Sequence, residues 1–348
     1  MSRWIYSLLL VAVIAYLGYR KIDLTAKVLG VVLVLEILVV VVVDLAVLAQ
    51  GGAEGINANG FTPTAVFPSG SGFSISAMFC AMSFIGFEAT AVFRDEARDP
   101  DRTVPRATYL AICFVGAIYA LSTWIVSLAW RDENLVATSA LGAPFLLGAA
   151  ESYAGKALSD IIQVLVATSL FACALSIHNI LARYDFVLGR SSVLPSALGK
   201  VHATHSSPYT ASLVTTAVTL VLLGISLALG LDPVAQILTW ASGVSALGFF
   251  VLLGLTCLST LVFFARTGAD GRLWQTRVWP SAGFLSLLAL TYVTCDNFPE
   301  LVAKGPVFAY ALAGAVPLFA LAGIARALYL RARSPERYAG VLALTQSR

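Results

Sequence analysis

Long apolar runs constrain this chain more than any other feature of its sequence. The most extreme lies between Val28 and Leu48, where 17 residues are valine, leucine or isoleucine. A run of about 20 apolar residues is long enough to cross a bilayer as a helix, which satisfies the backbone hydrogen bonds that lipid cannot. Only 12% of the residues are charged, against about 25% in soluble domains. The sequence therefore predicts an all-α, multi-pass membrane protein.

Dividing the chain into such runs predicts nine transmembrane helices, called spans A to I here. Their predicted bounds are Trp4–Tyr19, Thr25–Leu48, Phe73–Phe93, Val104–Ala129, Leu158–Leu188, Thr210–Leu229, Pro233–Phe264, Trp279–Cys295 and Pro306–Leu330.

The lysines and arginines predict the orientation of these spans. With nine spans, 18 of these residues fall on one side of the membrane and four (Arg3, Arg131, Lys156 and Lys304) on the other. Short loops rich in Lys and Arg stay in the cytoplasm. We therefore expect the N-terminus outside and the C-terminus in the cytoplasm, and the alternation itself supports the count of nine.

Several classes of function find no support in the sequence. The five cysteines are scattered singly through apolar segments, without the spacing of metal ligands or of a disulfide framework. No basic face suggests nucleic acid. His178 is the only histidine within a predicted span and has no acid at neighbouring helical positions, so no catalytic set is evident. We expect neither an enzyme nor a bound metal or cofactor.

Span C carries an unusual polar group near its middle, made by Ser83, Gly86 and Glu88. A carboxyl group is expensive at that depth. Secondary transporters build substrate sites from helices that are broken at mid-membrane. The sequence favours two half-helices with Glu88 capping the second, while a continuous helix with Gly86 as a packing notch stays open.

Span B contains two acids, Glu36 and Asp44. Its apolar residues favour insertion by roughly 5–10 kcal/mol, and two central acids oppose it by about 5–7 kcal/mol. We therefore expect at least Glu36 to face the protein interior. It is either a neutral acid bonded to a neighbouring backbone group or a proton-coupling residue.

The stretch SFIGFEATAVFRDEARDPDRTVPRA resembles the signature of the amino acid–polyamine–organocation (APC) superfamily of permeases. Two further stretches, ARYDFVLGRSSVLPSALGKVHATHSSP and TAKVLGVVLVLEILVV, resemble the family's sequence after its eighth helix and in its fifth. The matching positions in the first stretch are Gly86, Phe87 and Glu88, the acidic pair Asp95 and Glu96, Asp99–Pro100, and Pro105–Arg106.

This resemblance implies a single polytopic domain over residues 1–348 with the family's fold of two inverted five-helix repeats. Residues 1–49 would be the last two helices of the first repeat, 73–264 the complete second repeat, and 277–331 two C-terminal helices. The family's first three helices have no counterpart here. The alternative to a working permease is therefore a truncated, non-transporting fragment or a partner half.

The resemblance also implies roles for residues in spans B and C. The family's unwound segment, whose backbone binds substrate, matches Met82, Ser83, Phe84, Ile85 and Gly86, followed by Glu88. Met82 stands where a gating aromatic is common, so that role passes to Phe84. Glu36 stands where some members carry a lysine proposed to couple protons, and an acid there reverses the charge.

Further candidates lie on spans E and G. Ser169, Cys173, Ser176 and Asn179 recur at helical spacing and either line the inner cavity or satisfy neighbouring helices. Arg183 is either part of a cytoplasmic gate or an interfacial arginine. Trp240 either caps the pocket from outside or anchors the helix at the interface.

The function that follows from the resemblance is secondary active transport of amino acids or related amines by alternating access, coupled to protons or by exchange. We expect the protein in the plasma or inner membrane, with lipid and substrate as partners and no nucleic acid. Glu36 favours a cationic amine. The sequence leaves the substrate and homo-oligomerisation open.

Overall fold

The computed structural model describes residues 3–19, 23–67, 72–92, 94, 97–139, 142–201, 207–302, 304–335 and 338, and within these it contains helices and no strands. The end of span C at Phe93 and the acidic pair Asp95 and Glu96 lie outside the described residues. The helices are α1 Arg3–Tyr19, α2 Asp23–Gln50, α3 Pro63–Val66, α4 Gly72–Met82, α5 Ala89–Val92, α6 Pro100–Leu128, α7 Asp132–Ser139, α8 Ala143–Ala154, α9 Lys156–Arg190, α10 Tyr209–Ala228, α11 Thr239–Thr267, α12 Trp279–Asp296, α13 Phe298–Val302, α14 Pro306–Ala313 and α15 Ala315–Arg333.

Seven helical stretches in the described part of the chain are long and apolar enough to cross a membrane. They correspond to spans B and D to I, the last being formed by α14 and α15 together. Spans A and C correspond to shorter apolar helices, Trp4–Tyr19 and Gly72–Met82. The all-α architecture is thus confirmed, and the count of nine spans stays a prediction.

The start of α6 differs from its prediction. Span D was expected from Val104, with Pro105 and Arg106 opening the helix, but α6 begins at Pro100. Proline is well placed there because the first helical N–H has no partner in any case. Pro105 lies inside the helix instead.

Helix α8 was not predicted. Its 12 residues lie in the segment expected to be a loop between spans D and E, yet it packs against α2 and α9. Ala149 and Ala150 on this helix are fully buried. Their small side chains allow close helix contact, as is common in membrane proteins.

The chain divides into two compact units. The first contains α1, α2, α5 to α9 and most of α10, and its core brings together Val43 and Val47 of α2, Ile125 of α6 and Ala150 of α8. Buried apolar side chains from three helices therefore fix the positions of α2, α6 and α8, and α9 packs against α2 and α8.

The second unit contains α4 and α11 to α15. Helices α11 and α12 form its longest helix pair, and α4 packs against α12. Met78 of α4 is fully buried with Ala246 and Phe250 of α11. The apolar first half of span C is thus part of the core of this unit.

Candidate functional site

The helix of span C is interrupted where the sequence predicted. Helix α4 ends at Met82, residues 83–88 form turns, and α5 begins at Ala89. Gly86 has a φ of 115°, a conformation that is strained for any residue with a Cβ atom. The continuous helix with Gly86 as a packing notch is therefore wrong.

Side chains satisfy part of the backbone at this break. The Glu88 carboxylate accepts a hydrogen bond from the Gly86 N–H at 2.9 Å, in the turn before α5. A cap by Glu88 on the first N–H groups of the second half-helix stays a prediction. The Ser83 hydroxyl donates to the Phe79 carbonyl at 3.0 Å and covers the end of α4. Both contacts are local in sequence, so the break is held by its own residues.

The predicted substrate segment is not enclosed in this structure. Ser83, Ile85 and Gly86 are exposed, whereas Met82 and Glu88 are half-buried. Turn hydrogen bonds use the Phe84 and Ile85 N–H groups, which donate to the Ala81 and Met82 carbonyls.

Within the first unit, α5 is fixed by its neighbours. It packs against α6 and α9. The hydroxyls of Thr90 on α5 and Thr108 on α6 share a hydrogen bond, and Thr108 also donates to the Val104 carbonyl. The segment following the break is therefore tied to the helix that carries the rest of the signature.

Two residues that the sequence analysis named separately meet in the first unit. The Ser169 hydroxyl of α9 donates to Glu36 Oε2 of α2 at 3.1 Å. They share a cavity of about 210 Å³, called the Glu36 cavity here. Its lining consists of Glu36, Val39, Val40, Val43, Leu146, Ile162, Leu165, Val166 and Ser169.

The second carboxylate oxygen of Glu36 is buried and has no hydrogen-bond partner. A buried carboxyl oxygen without a partner is costly and marks a site of function or of a missing partner. The partner seen for Glu36 is a side chain of another helix, so the expectation of a bond to a neighbouring backbone group is wrong. Glu36 does face the protein interior.

A second buried acid pairs with a serine that the sequence analysis missed. The Ser122 hydroxyl of α6 donates to Asp44 Oδ2 at 2.6 Å, and Asp44 is 7% exposed. Its Oδ1 atom is buried without a partner. The sequence held one signal for this, because Asp44 follows Glu36 by eight residues and so shares a helix face with it.

The remaining candidates on α9 are separate from the Glu36 cavity. Cys173 and Ser176 are exposed, and Asn179 and Arg183 are half-buried. The cavity lining includes Ser169 and none of these four. The Glu36 cavity thus includes only the first residue of the polar stripe, and the lining role of the others stays a prediction.

His178 on α9 is buried beside α1 and α10. Its Nε2 atom lies 3.0 Å from the Ser212 hydroxyl. A Cβ atom on Gly18 of α1 would lie 2.9 Å from the imidazole ring. No group of three or more histidines, cysteines, aspartates or glutamates suited to a metal occurs among the described residues, and His178 instead packs three helices together.

Trp240, at the start of α11, faces the second unit's own helices. Its indole N–H donates to the Val302 carbonyl at 3.1 Å. The Phe308 ring lies 4.7 Å from the indole, between ring centroids, and Lys304 Nζ lies 5.9 Å above it. These contacts join the first turn of α11 to α13 and α14.

Comparison with known proteins gives matches to transport proteins. The family described as amino acid permease matches residues 1–336. The chain is 27% identical over 210 residues to the low-affinity putrescine importer PlaP of Escherichia coli. The matched segment covers 59% of this chain and 46% of the importer. It is 26% identical over 317 residues to cationic amino acid transporter 7, chloroplastic, of Arabidopsis thaliana, covering 90% of this chain and 51% of that protein.

A shorter match is to the cadaverine/lysine antiporter of Escherichia coli, 30% identical over 104 residues, or 30% of this chain and 22% of the antiporter. The chain thus spans about half the length of the two longer-matching relatives.

Proposed function

Because the chain belongs to the amino acid permease family, we propose that it carries amino acids or related amines across a membrane by alternating access. With seven candidate spans among its described residues it is a multi-pass membrane protein, and the relatives described above are transporters rather than enzymes. The importer and antiporter among them are named for putrescine, cadaverine and lysine, which supports a cationic substrate.

The observation that carries the proposal is the interrupted helix. A break between α4 and α5 leaves backbone N–H and C=O groups that a continuous helix would use internally. We assign substrate binding to Met82, Ser83, Phe84, Ile85, Gly86 and Glu88, with the backbone holding the substrate's carboxyl or amino group. Phe84 is the aromatic gate of this assignment, because Met82 occupies the usual position.

The other assignments concern coupling and gating. Glu36 is the coupling residue, supported by its interior position and unpartnered oxygen. Ser169, Cys173, Ser176 and Asn179 line the route, Arg183 belongs to a cytoplasmic gate, and Trp240 closes the outer side. The proposal includes nine spans, an outside N-terminus and a plasma or inner membrane location.

Uptake into proteoliposomes tests the function. The purified chain is reconstituted and supplied with radiolabelled lysine, putrescine or alanine, with empty liposomes as the blank. We expect saturable uptake of at least one of these substrates. A Gly86→Ala variant should lose most of this uptake, because alanine at this φ is strained by about 1–3 kcal/mol. The loss would not come from a clash, since nothing lies within 4 Å of the added Cβ.

The matched control is Gly224→Ala in α10, where a Cβ also meets nothing within 4 Å and the backbone is helical. Equal uptake by the two variants contradicts the role of the break. The alternative, a fragment or partner half, predicts no uptake by this chain and uptake only when three further helices precede it.

A further inference from the structure

We propose that the Glu36 cavity is a binding site for the alkylammonium group of a cationic amine, in which a proton and the ammonium compete for the Glu36 carboxylate. This deepens the proposed function by naming a substrate class and its exchange partner, and it rests on that function. The site is separate in sequence from the interrupted helix.

The Glu36 carboxylate has one oxygen free to bind a cation. Ser169 orients Glu36 by donating to Oε2 at 3.1 Å. Oε1 is buried and unpartnered, so the site lacks one donor. An ammonium group supplies a charge-assisted hydrogen bond to that oxygen, which is stronger than a bond between neutral groups.

The rest of the lining selects an alkyl chain. Valine, leucine and isoleucine from α2, α8 and α9 form its walls. A cavity of about 150 Å³ with such walls is large enough for benzene. The Glu36 cavity, at about 210 Å³, therefore accommodates an alkyl chain of about four carbons, whose burial favours binding.

Glu36 is the only titratable or charged side chain that lines the cavity from the described parts of α2, α8 and α9. The nearest acid along α2, Asp44, lies about 12 Å farther along the helix axis and is bonded to Ser122 instead. One carboxylate neutralises one positive charge. An ammonium and a proton compete for this one carboxylate, so each weakens the binding of the other by the same factor.

Titration calorimetry on the full chain in lipid nanodiscs tests this, with n-butylammonium as the probe and 1-butanol as its uncharged counterpart. In the unaltered protein we expect n-butylammonium to bind at least about tenfold more tightly than methylammonium. Because a proton and the ammonium compete for one carboxylate, the Kd of n-butylammonium should rise as the pH is lowered, while the Kd of 1-butanol stays constant.

Glu36→Gln should weaken n-butylammonium by at least about tenfold and abolish the pH dependence, with 1-butanol binding unchanged. Asp44→Asn is the matched control, since it neutralises the other buried acid of α2 outside the cavity, and we expect less than a twofold effect. If Glu36→Gln does not fold, Val166→Phe serves instead. Val166 is a wall residue that is 44% exposed, so a larger side chain there fills the cavity, and both probes should bind more weakly.

Unchanged n-butylammonium affinity in Glu36→Gln or in Val166→Phe overturns the proposal. It is also overturned if Asp44→Asn loses as much n-butylammonium affinity as Glu36→Gln does, or if Glu36→Gln loses as much affinity for 1-butanol as for n-butylammonium. Its failure is distinct from failure of the permease function. Uptake that persists with unchanged amine affinity in Glu36→Gln refutes the amine site alone. Glu36-dependent binding without uptake of any amine or amino acid refutes the permease function of this chain.

Discussion

At the scale of single residues, Gly18 shows how closely α1 approaches its neighbours. It is buried, and a Cβ atom there would lie 2.9 Å from His178 and 3.2 Å from the Ser212 hydroxyl. The imidazole and hydroxyl are themselves hydrogen-bonded. Nearby, the Ser207 hydroxyl donates to the Tyr19 carbonyl at 3.1 Å, so the end of α1 is bonded to the segment that precedes α10.

We expect Gly18→Ala to lower the free energy of unfolding by about 1–3 kcal/mol, because the added methyl overpacks this contact. Thermal unfolding in detergent measures the effect. Gly30→Ala on α2 is the control, since nothing lies within 4 Å of its Cβ position. The double variant Gly18→Ala, His178→Ala should recover part of the loss, and equal stability of the two single variants would contradict the close contact.

Ser122 is a second position at which the loss of one side-chain oxygen should lower the free energy of unfolding. Among the described residues, its hydroxyl is the only hydrogen-bond partner of the Asp44 carboxylate, and Asp44 is 7% exposed. We expect Ser122→Ala to cost about 1–3 kcal/mol, because Asp44 then keeps no hydrogen bond.

Ser127→Ala is the matched control for this prediction. That serine is on the same helix, but its hydroxyl donates to the Trp124 carbonyl of its own helix, so its loss leaves no buried acid without a partner. Chemical denaturation in a mild detergent gives both values. A smaller loss for Ser122→Ala than for Ser127→Ala would show that the Asp44 contact is unimportant.

At the scale of helices, the sequence predicts features that depend on residues close together along the chain. Ser83, Gly86 and Glu88 within an apolar run favour a break there, because Gly tolerates a non-helical backbone, Ser favours a cap and Glu accepts from backbone N–H groups at a helix start. The pairing of Glu36 with Ser169 was not predicted, although both residues were named. It depends on how α2 and α9 are rotated about their axes, which periodicity does not determine in helices that are apolar on all sides.

Helix α8 was missed for a related reason. Twelve residues are too few for a span, so the length of apolar runs does not predict this helix. Its burial comes from Ala149 and Ala150 meeting α2 and α9, a tertiary contact between small residues. Leu146 of this helix also closes the Glu36 cavity, so part of the candidate site was beyond prediction.

Trp240 allows a test of how α11 is held to α13 and α14. We expect Trp240→Phe to cost about 0.5–1.5 kcal/mol, because the ring stays against Phe308 while the hydrogen bond to the Val302 carbonyl is lost. Trp240→Ala should cost about 3 kcal/mol through the cavity it leaves.

Trp274→Phe and Trp274→Ala form the control pair for Trp240, since Trp274 is 66% exposed. Unfolding followed by tryptophan fluorescence measures all four variants. If both pairs lose the same stability, the contacts of Trp240 are not what holds the start of α11.

At the scale of the whole molecule, the distribution of arginine and lysine predicts on which side each loop lies. Val136 on α7 is 79% exposed, and Lys200, after α9, is also exposed. The single candidate span Lys156–Arg190 separates them. In a variant lacking the five native cysteines, a membrane-impermeant maleimide should label Val136→Cys in intact cells and Lys200→Cys only after permeabilisation.

Labelling of both positions from the same side would contradict the orientation. Labelling of Lys200→Cys alone in intact cells would reverse it. Val201→Cys, at a neighbouring exposed position, provides a matched control, because it should behave as Lys200→Cys does without the loss of a positive charge.

The single carboxylate of the Glu36 cavity sets a limit on the amine concentration gradient that the proposed exchange could maintain. In the proposed exchange, one ammonium replaces one proton and no net charge moves, so a monoamine would respond to the pH difference and not to the membrane voltage. At equilibrium a difference of one pH unit sustains about a tenfold difference in amine concentration. A diamine carries a second, uncompensated charge, and its distribution would shift by about 2.3 kcal/mol for every 100 mV.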